Sequence, residues 1–508
     1  MTHEQRNLAG RVAGAGAWTV GARLVAKLVD LALLFFLARF LEPADFGLVA
    51  TAMATVFIVE ALFELPLSAA LVRVPDLTEE MLQTAFTLGL LRGLVVTLLL
   101  CALAWPMAVL NAEPRLTALM AALAAAPAMR GLVSPRMVEY DRVFNFRPQA
   151  VLEFSGKAVA FCVSFVLAAA FHSYWAIAAA TVCGPAIVTV LSYFAAPLRP
   201  RLTLSQWPLF SNLVGWGFAV QLCSALNWQL DRLLLPKLTP VALFGQYSIA
   251  KQLTETPSQA LAAPLQRPCM AALANAGAHV GDRYLQLNRA VSIVFAPAIA
   301  LLVVWPEPVI RVMLGDKWLP AAPWLQWMSA TMLLSLPAML VGALCLTMDQ
   351  ARPFAVRNFF QLLVRVPAIW FGAVHFGVPG VIAANAIAGA AGVGASLIVV
   401  RQLARTSISA QLKTSLIPLA ALIPACFFLW LVKPQVMGAS TFPGLVFGVT
   451  IYACLFLFAY GLGVLGAWML SGRPPGIERH VASVMAAFIQ RSRILRRPPG
   501  RSAASGKP

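Results

Sequence analysis

Between Gly16 and Arg73 two apolar runs face each other across one short polar hinge, Leu41-Glu42-Pro43-Ala44-Asp45. Each run holds about 20 residues or more, enough to cross the ~30 Å hydrocarbon core of a bilayer as a helix. The first run nevertheless carries Arg23, Lys27 and Asp30, spaced i, i+4, i+7 and therefore on one helical face. The second carries Glu60 and Glu64, again i, i+4. A charge at membrane depth is costly unless it is paired or faces water. A helix that is apolar over most of its surface, with one charged stripe, reads as the wall of a polar cavity inside a membrane bundle.

A weaker copy of this unit runs from Gly215 to Ala274. Leu37 through Pro43 corresponds to Leu234 through Pro240, and Phe46-Gly47 to Phe244-Gly245, with one extra residue in the second hinge. Asp231 then falls near the place of Asp30. Many transporters are built from such repeats, with the substrate site between the two halves.

Composition supports the membrane reading. The chain has 508 residues, 60% hydrophobic and only 11% charged, with a mean hydropathy of +0.79. A soluble domain is nearer about 45–50% apolar and 25% charged, so the fold class expected is an all-α polytopic membrane protein. The net charge of +18 does not signal nucleic acid, because the basic residues sit in short loops and in the tail, where the positive-inside rule places them. The eight cysteines are scattered without a CxxC spacing, so neither a zinc site nor a disulfide framework is indicated. Met1 to Asn7 is polar and leads into a long apolar run without a short h-region, so no cleavable signal peptide is expected.

Fourteen spanning helices are expected, at 17–40, 44–70, 84–110, 115–134, 149–171, 173–196, 212–236, 242–265, 290–314, 323–347, 356–376, 379–401, 412–432 and 443–470. The inner segments then hold residues such as Arg73, Arg136, Arg142, Arg199, Arg283 and Arg405, whereas the outer loops offer little beyond Arg115, Lys237, Lys317 and Lys433. That asymmetry fits an even helix count with both ends cytoplasmic. Six helices per repeat plus an extra pair divides the chain into lobes at 1–205 and 206–405, a helix pair at 406–471 and a basic tail at 472–508. An even number per repeat sets both halves the same way up, with the pseudo-twofold axis along the membrane normal. The tail can hold a short amphipathic helix, Glu478 to Ile494, on an anionic leaflet, or stay a disordered basic tail.

Besides the first stripe, intramembrane charges fall at Arg92, Glu153, Lys157, Asp231, Arg232, Lys251, Glu255 and Arg365. Glu153 with Lys157 and Lys251 with Glu255 are opposite-sign pairs at i, i+4 that can neutralise each other along one helix. Arg92 lies where a side chain can snorkel to the headgroups. Arg23, Lys27 and Asp30, with Asp231–Arg232 in the matching place, are read as cavity residues. The seventh helix has a wider polar stripe, Gln221, Ser224, Trp228 and Asp231, with Asn227 alongside. Amide, hydroxyl, Trp and carboxylate together suit a sugar or headgroup, although hydrogen bonding between helices gives the same pattern. Eight prolines in the expected spans, Pro127 and Pro337 among them, kink or break helices. There is no Walker A loop, GxSxG, HExxH or loop DxD, and the five histidines are dispersed. No enzyme, metal site or cofactor is expected. Energy must come from an ion gradient, the substrate gradient or a partner.

The run from Leu37 to Ala52, containing Leu41-Glu42-Pro43-Ala44-Asp45-Phe46-Gly47, resembles the first hairpin of polysaccharide-unit flippases, the Wzx-type members of the multidrug/oligosaccharidyl-lipid/polysaccharide (MOP) exporter superfamily. Gly16-Ala17-Trp18, Arg23, Ala69-Ala70-Leu71-Val72-Arg73 and Thr84 to Gly93 extend the likeness, as does Phe244-Gly245. Residues 10–95 and 210–275 carry it. Leu65-Pro66 departs from the glycine expected there and puts local helix geometry in question. The resemblance implies a V-shaped, MATE-like pair of six-helix lobes in the bacterial inner membrane. It implies translocation of an undecaprenyl-pyrophosphate-linked oligosaccharide from the cytoplasmic to the periplasmic leaflet, for exopolysaccharide, capsule or O-antigen synthesis, by alternating access. Arg23 and Lys27, with Arg232 opposite, would be the cavity cations, which agrees with the chemistry of a pyrophosphate crossing a low-dielectric region. Asp30, Asp231 or Glu60 would bind a coupling ion. The partners implied are the lipid-linked oligosaccharide and membrane lipid, with a polymerase and a chain-length regulator as candidates, and the default state is a monomer.

Three other readings compete. A multidrug or small-molecule antiporter of the same superfamily would show an acidic, aromatic cavity. A lipid-linked peptidoglycan precursor flippase fits the helix count, but the Pro-Ala-Asp-Phe-Gly hinge fits the polysaccharide group better. A membrane glycosyltransferase or polymerase would need a large periplasmic loop. Arg23→Ala with Lys27→Ala is expected to abolish polymer export while the protein stays in the membrane, measured as surface polysaccharide against membrane-fraction protein. Full export by the double variant would leave these residues only a structural part.

Overall fold

The computed structural model describes residues 21, 25–65, 67–143, 145–211, 216–438 and 441–470, apart from the side chains at 69, 73, 211, 216–221, 261–264, 266, 267, 351 and 470. Arg23, the side chain of Gln221 and the tail from 471, with its expected helix, lie outside the described residues. Those described form helices and connections without a strand. The first half comprises α1 (25–40), α2 (Pro43–Leu62), α3 (Leu67–Arg73), α4 (Glu79–Leu110), α5 (Arg115–Leu123), α6 (Ala125–Gly131), α7 (Val138–Arg142), α8 (Arg147–Phe171) and α9 (Trp175–Ala195). The second comprises α10 (Trp207–Ser211), α11 (Trp216–Leu238), α12 (Val241–Ala274), α13 (Val280–Val304), α14 (Pro306–Met313), α15 (Ala322–Leu333), α16 (Val341–Thr347) and α17 (Ala351–Ala404). The pair α18 (Ile408–Met437) and α19 (Phe442–Leu470) ends it.

Among the described residues, eight helices are long and apolar enough to cross a membrane. The number is ten when two bent pairs count as one span each, 115–131 with 135–142 (bent by 55°) and 316–333 with 336–347 (bent by 49°). α11 and α12 fall outside this set, and both carry several charges. One expected boundary changes. The single helix expected at 44–70 is two, because α2 ends at Leu62 and α3 begins at Leu67. The residue before a proline is pushed away from helical backbone, and here Leu65 precedes Pro66. The spans expected at 356–376 and 379–401 are both inside α17, divided at Gly377, whose φ of 61° and ψ of −137° form a backbone that suits glycine. The chain reverses there. Arg365 Nη2 donates to Asn385 Oδ1 at 2.6 Å and Arg357 Nε to Ser396 Oγ at 3.0 Å, so the two parts of α17 lie antiparallel.

The hinge at 41–45 is a helix start built from sequence-local parts. Pro43 takes the first position of α2, where its missing N–H is no loss. The Glu42 N–H donates to Asp45 Oδ2 at 3.1 Å, an acidic group in the first turn where the helix dipole favours it. Immediately beyond, α2 crosses α12 at the two glycines the internal repeat pairs. A β-carbon on Gly47 would run into the Val241 carbonyl, and one on Gly245 into the Pro43 carbonyl. Each obstructing carbonyl lies four residues before the partner glycine. The contact is therefore reciprocal, as a local twofold requires. Without a hydrophobic force between helices in lipid, such small-residue crossings are how backbones approach closely.

The last four carbonyls of an α-helix have no partner within it. At the end of α1 the other half supplies donors. Trp318 Nε1 donates to the Ala38 carbonyl at 2.8 Å, and Lys317 Nζ to the carbonyls of Arg39 at 3.0 Å and Leu41 at 2.6 Å. Trp318 is fully buried and meets Phe46 edge-on, with ring centroids 5.2 Å apart. Arg39 is held between the rings of Phe35 and Phe442, 4.6 Å from each centroid. The two halves are thus stitched at the hinge end. The final pair belongs to the second half, since Trp305 Nε1 donates to the Leu429 carbonyl at 2.7 Å and Lys433 pairs with Glu307 at 2.6 Å.

Gly47→Leu forces a side chain against the Val241 carbonyl, and overpacking of this kind costs about 1–3 kcal/mol. The melting temperature of the purified protein is expected to fall. Gly461→Leu, at a glycine with nothing within 4 Å of its β-carbon position, is expected to leave it near wild type. Equal melting temperatures for the two variants would mean that the crossing does not limit stability.

Candidate functional site

On the side of the crossing away from the hinge, the halves enclose a cavity of about 480 Å³ lined by α1, α2, α9, α11 and α12. Its volume lies in the range of small-ligand sites, about 300–1,000 Å³. One wall is apolar and comes from the first half, with Leu34, Leu37, Val49, Met53 and Phe57. The opposite wall is α12. Ser248, Gln252, Glu255 and Gln259 stand at i, i+4, i+7 and i+11 on one face, with Thr256 beside them. Lys27, Asp30 and Arg232 complete the lining.

The cavity gathers part of the expected set. Lys27 Nζ donates to Gln259 Oε1 at 3.0 Å, joining α1 to α12 across the halves. Lys27 also stands 3.7 Å from Asp30 Oδ2, and Lys157 of α8 reaches the same oxygen at 2.6 Å. Lys157 therefore serves Asp30 from behind and is not tied to Glu153 along its own helix. Arg232 Nη1 lies 3.5 Å from Gln229 Oε1, and its Nε finds no protein partner. Among the described residues the wall carries Lys27 and Arg232 against Asp30 and Glu255, with Lys157 behind Asp30.

The other expected site residues lie elsewhere. Asp231 is fully buried between α11 and α12. Lys251 Nζ donates to its two oxygens at 2.7 and 2.6 Å, and to the Trp228 carbonyl at 2.9 Å. The Tyr247 hydroxyl and the Arg232 N–H donate to it as well, the latter at 3.0 Å. Asn385 Nδ2 donates to the Tyr247 hydroxyl at 3.4 Å and accepts from Arg365, which carries the network into α17. Asn227 is buried and donates to the carbonyls of Cys223 at 3.0 Å and Asn358 at 3.1 Å. Asn358 Nδ2 in turn stands 3.5 Å from Ser224 Oγ. This part of the polar stripe is spent on bonds between helices. Trp228 is half exposed and is not among the cavity-lining residues. Glu60 accepts from Arg130 of α6 at 2.6 and 3.1 Å, and Glu64 pairs with Arg92 at 3.9 Å, within the first half.

The polar face of α12 was missed from sequence because Glu255 was matched with Lys251. Marking uncharged polar residues at helical spacing, not charges alone, finds it. As a chemical whole, the cavity offers cations for an anionic group, carboxylates and amides for hydroxyl-rich ligands, and one apolar wall.

Fold and cavity define an all-helical, multi-pass membrane protein of the exporter type. Over 86% of this chain and 96% of the other, the structure resembles the lipid II flippase MurJ in its inward closed conformation, with a TM-score of 0.66 at 14% identity. It also resembles a multidrug resistance MATE family transporter of the MOP superfamily in its inward-facing conformation, with a TM-score of 0.57 at 14% identity over 78% of this chain and 99% of the other. Residues 36–323 match the polysaccharide biosynthesis protein family, and the chain belongs to it. It is 22% identical over 379 residues to the lipopolysaccharide biosynthesis protein WzxC of Escherichia coli (strain K12), covering 72% of this chain and 75% of that one. The Wzx-type, MOP-superfamily resemblance carried by the first hairpin therefore stands.

Asp231→Ala leaves the Lys251 ammonium without its counterion, and removing one member of a buried pair costs about 3–5 kcal/mol. Asp231→Leu combined with Lys251→Met is expected to recover most of that loss, read by thermal unfolding in detergent. A double variant no more stable than the single one would show that Asp231 matters through some contact other than this pair.

Proposed function

We infer that the chain is a flippase that carries an undecaprenyl-pyrophosphate-linked oligosaccharide repeat unit from the cytoplasmic to the periplasmic leaflet of a bacterial inner membrane. The observation that carries this reading is the cavity between the halves. It combines Lys27 and Arg232 with a polar α12 wall and an apolar α1–α2 wall. A pyrophosphate wants cations in place of water, a saccharide wants hydrogen-bonding groups, and a polyprenyl chain wants an apolar surface. Family membership and the names of the relatives point the same way.

In this reading the hinge end faces the periplasm. Alternating access opens it by breaking the bonds from Trp318 and Lys317 to the end of α1. The lobes are 1–205 and 206–405, followed by the helix pair 406–471 and the tail 472–508. The fourteen spans are reached by adding α1, α11, α12 and the second part of α17 to the ten. Both termini are cytoplasmic, one chain suffices, and no covalent chemistry is performed on the sugar. A polymerase and a chain-length regulator act downstream. Asp30 and Asp231, each held by lysine, are closed to a coupling cation in this state and would open to one only as the lobes move.

Deletion of the gene in its own host tests the reading. Lipid-linked repeat units are expected to accumulate in the cytoplasmic leaflet while surface polysaccharide disappears. Unchanged polysaccharide together with new sensitivity to cationic drugs would instead assign the cavity to drug export.

A further inference from the structure

The two walls of the cavity differ in kind, and only one can recognise a sugar. Ser248, Gln252, Glu255 and Gln259 place a hydrogen-bonding group at nearly every turn of α12. The eleven steps from Ser248 to Gln259 span about 16 Å at 1.5 Å per residue, the length of a short saccharide and not of a single phosphate. The neighbouring polar faces of α12 are already committed. Lys251 is bonded to Asp231, Thr254 Oγ1 stands 3.3 Å from Ser329 Oγ, and Ser258 faces Met332. The face turned to the cavity is the one with groups left for a ligand, although Gln259 at its end already accepts from Lys27.

Glu255 is the charged member of that row. The described cations of the wall are Lys27 and Arg232, with Lys157 occupied at Asp30. Once a pyrophosphate has taken Lys27 and Arg232, a second acidic group on the saccharide finds no free cation among the described wall residues, and it meets the like charge of the Glu255 carboxylate. Sugar hydroxyls and ammonium groups, by contrast, can donate to Glu255.

Resting on the flippase reading, we propose that the α12 row Ser248–Gln252–Glu255–Gln259 is the saccharide-recognition wall and that Glu255 selects a neutral or amino-bearing sugar unit against a uronate-bearing one. Glu255 is here a specificity-determining residue, and the polyprenyl pyrophosphate is recognised elsewhere in the same cavity.

Transport by the full-length protein in proteoliposomes tests this with three probes: undecaprenyl pyrophosphate bearing a neutral disaccharide, the same lipid bearing a disaccharide with one uronic acid, and the lipid without sugar. Wild type is expected to move the neutral conjugate about tenfold faster than the uronate one, an effect within the range of one like-charge repulsion. Glu255→Gln keeps the size of the side chain and one acceptor oxygen but removes its charge, and should bring the ratio to about one by raising the uronate rate. Gln252→Glu, a second carboxylate on the row, should widen the ratio and guards against a folding failure of the first variant. Equal wild-type rates for the two conjugates, or a ratio that neither variant moves, would overturn the assignment of Glu255 while leaving the flippase reading intact. Failure of wild type to move any of the three lipids would remove the flippase reading, and this inference with it.

Discussion

Where α2 crosses α12, neither helix has room for a β-carbon, and much else follows from that closeness. The crossing sets the distance between the two halves. It brings the end of α1 against Lys317 and Trp318, whose donors satisfy carbonyls that no residue of α1 can reach. It brings the halves together at the hinge end, and the cavity lined by Lys27, Asp30, Arg232 and Glu255 lies on the other side. In a bilayer the apolar faces of two helices gain nothing by meeting, because lipid is as apolar as they are. Close packing at small residues and the pairing of polar groups therefore decide the arrangement.

The charges obey the same constraint. Along single helices the sequence offers Glu153 with Lys157 and Lys251 with Glu255, yet the lysines reach across to Asp30 and Asp231. An i, i+4 pair on a helix face contributes only about 0.2–0.5 kcal/mol. An uncompensated carboxylate sealed inside a bundle costs far more. Asp231 is fully buried, so the nearest ammonium goes to it, and Tyr247, Asn385 and Arg365 extend the network through α17. The pair fastens α11 to α12. It also fixes which face of α12 remains for the cavity.

The site is accordingly a division of labour between the two halves. The first half contributes an apolar wall with Lys27 and Asp30, and the second a polar wall with Arg232 and Glu255. Two related hairpins that pack about a local twofold make a cavity with unlike sides. A lipid-linked saccharide, polar at one end and apolar at the other, is the kind of ligand such a cavity suits. The final helix pair adds to the closed end, since Phe442 of α19 holds Arg39 of α1.

Much of the fold was legible because its causes are local. Apolar runs of spanning length, the Pro43 helix start and the break near Gly377 are written within a few residues of where they act. The match of Phe46-Gly47 with Phe244-Gly245 was legible too, although not that the two glycines would touch. Lys27 and Asp30, which their spacing sets on one helical face, line one cavity with Arg232. Tertiary structure alone decided the rest. Asp231 turned inward to Lys251, Asn227 was spent on α17, and Glu60 on Arg130. Trp318, in a stretch read as a plain outer loop, became the donor that closes the hinge end. Two of these contacts join residues more than a hundred positions apart, Asn227 with Asn358 and Ala38 with Trp318, the latter 280 residues distant. Helical period tells which way a side chain faces on its own helix. Only packing tells which other helix stands there, and in a low-dielectric interior that neighbour determines whether a charge is a bridge or a binding group.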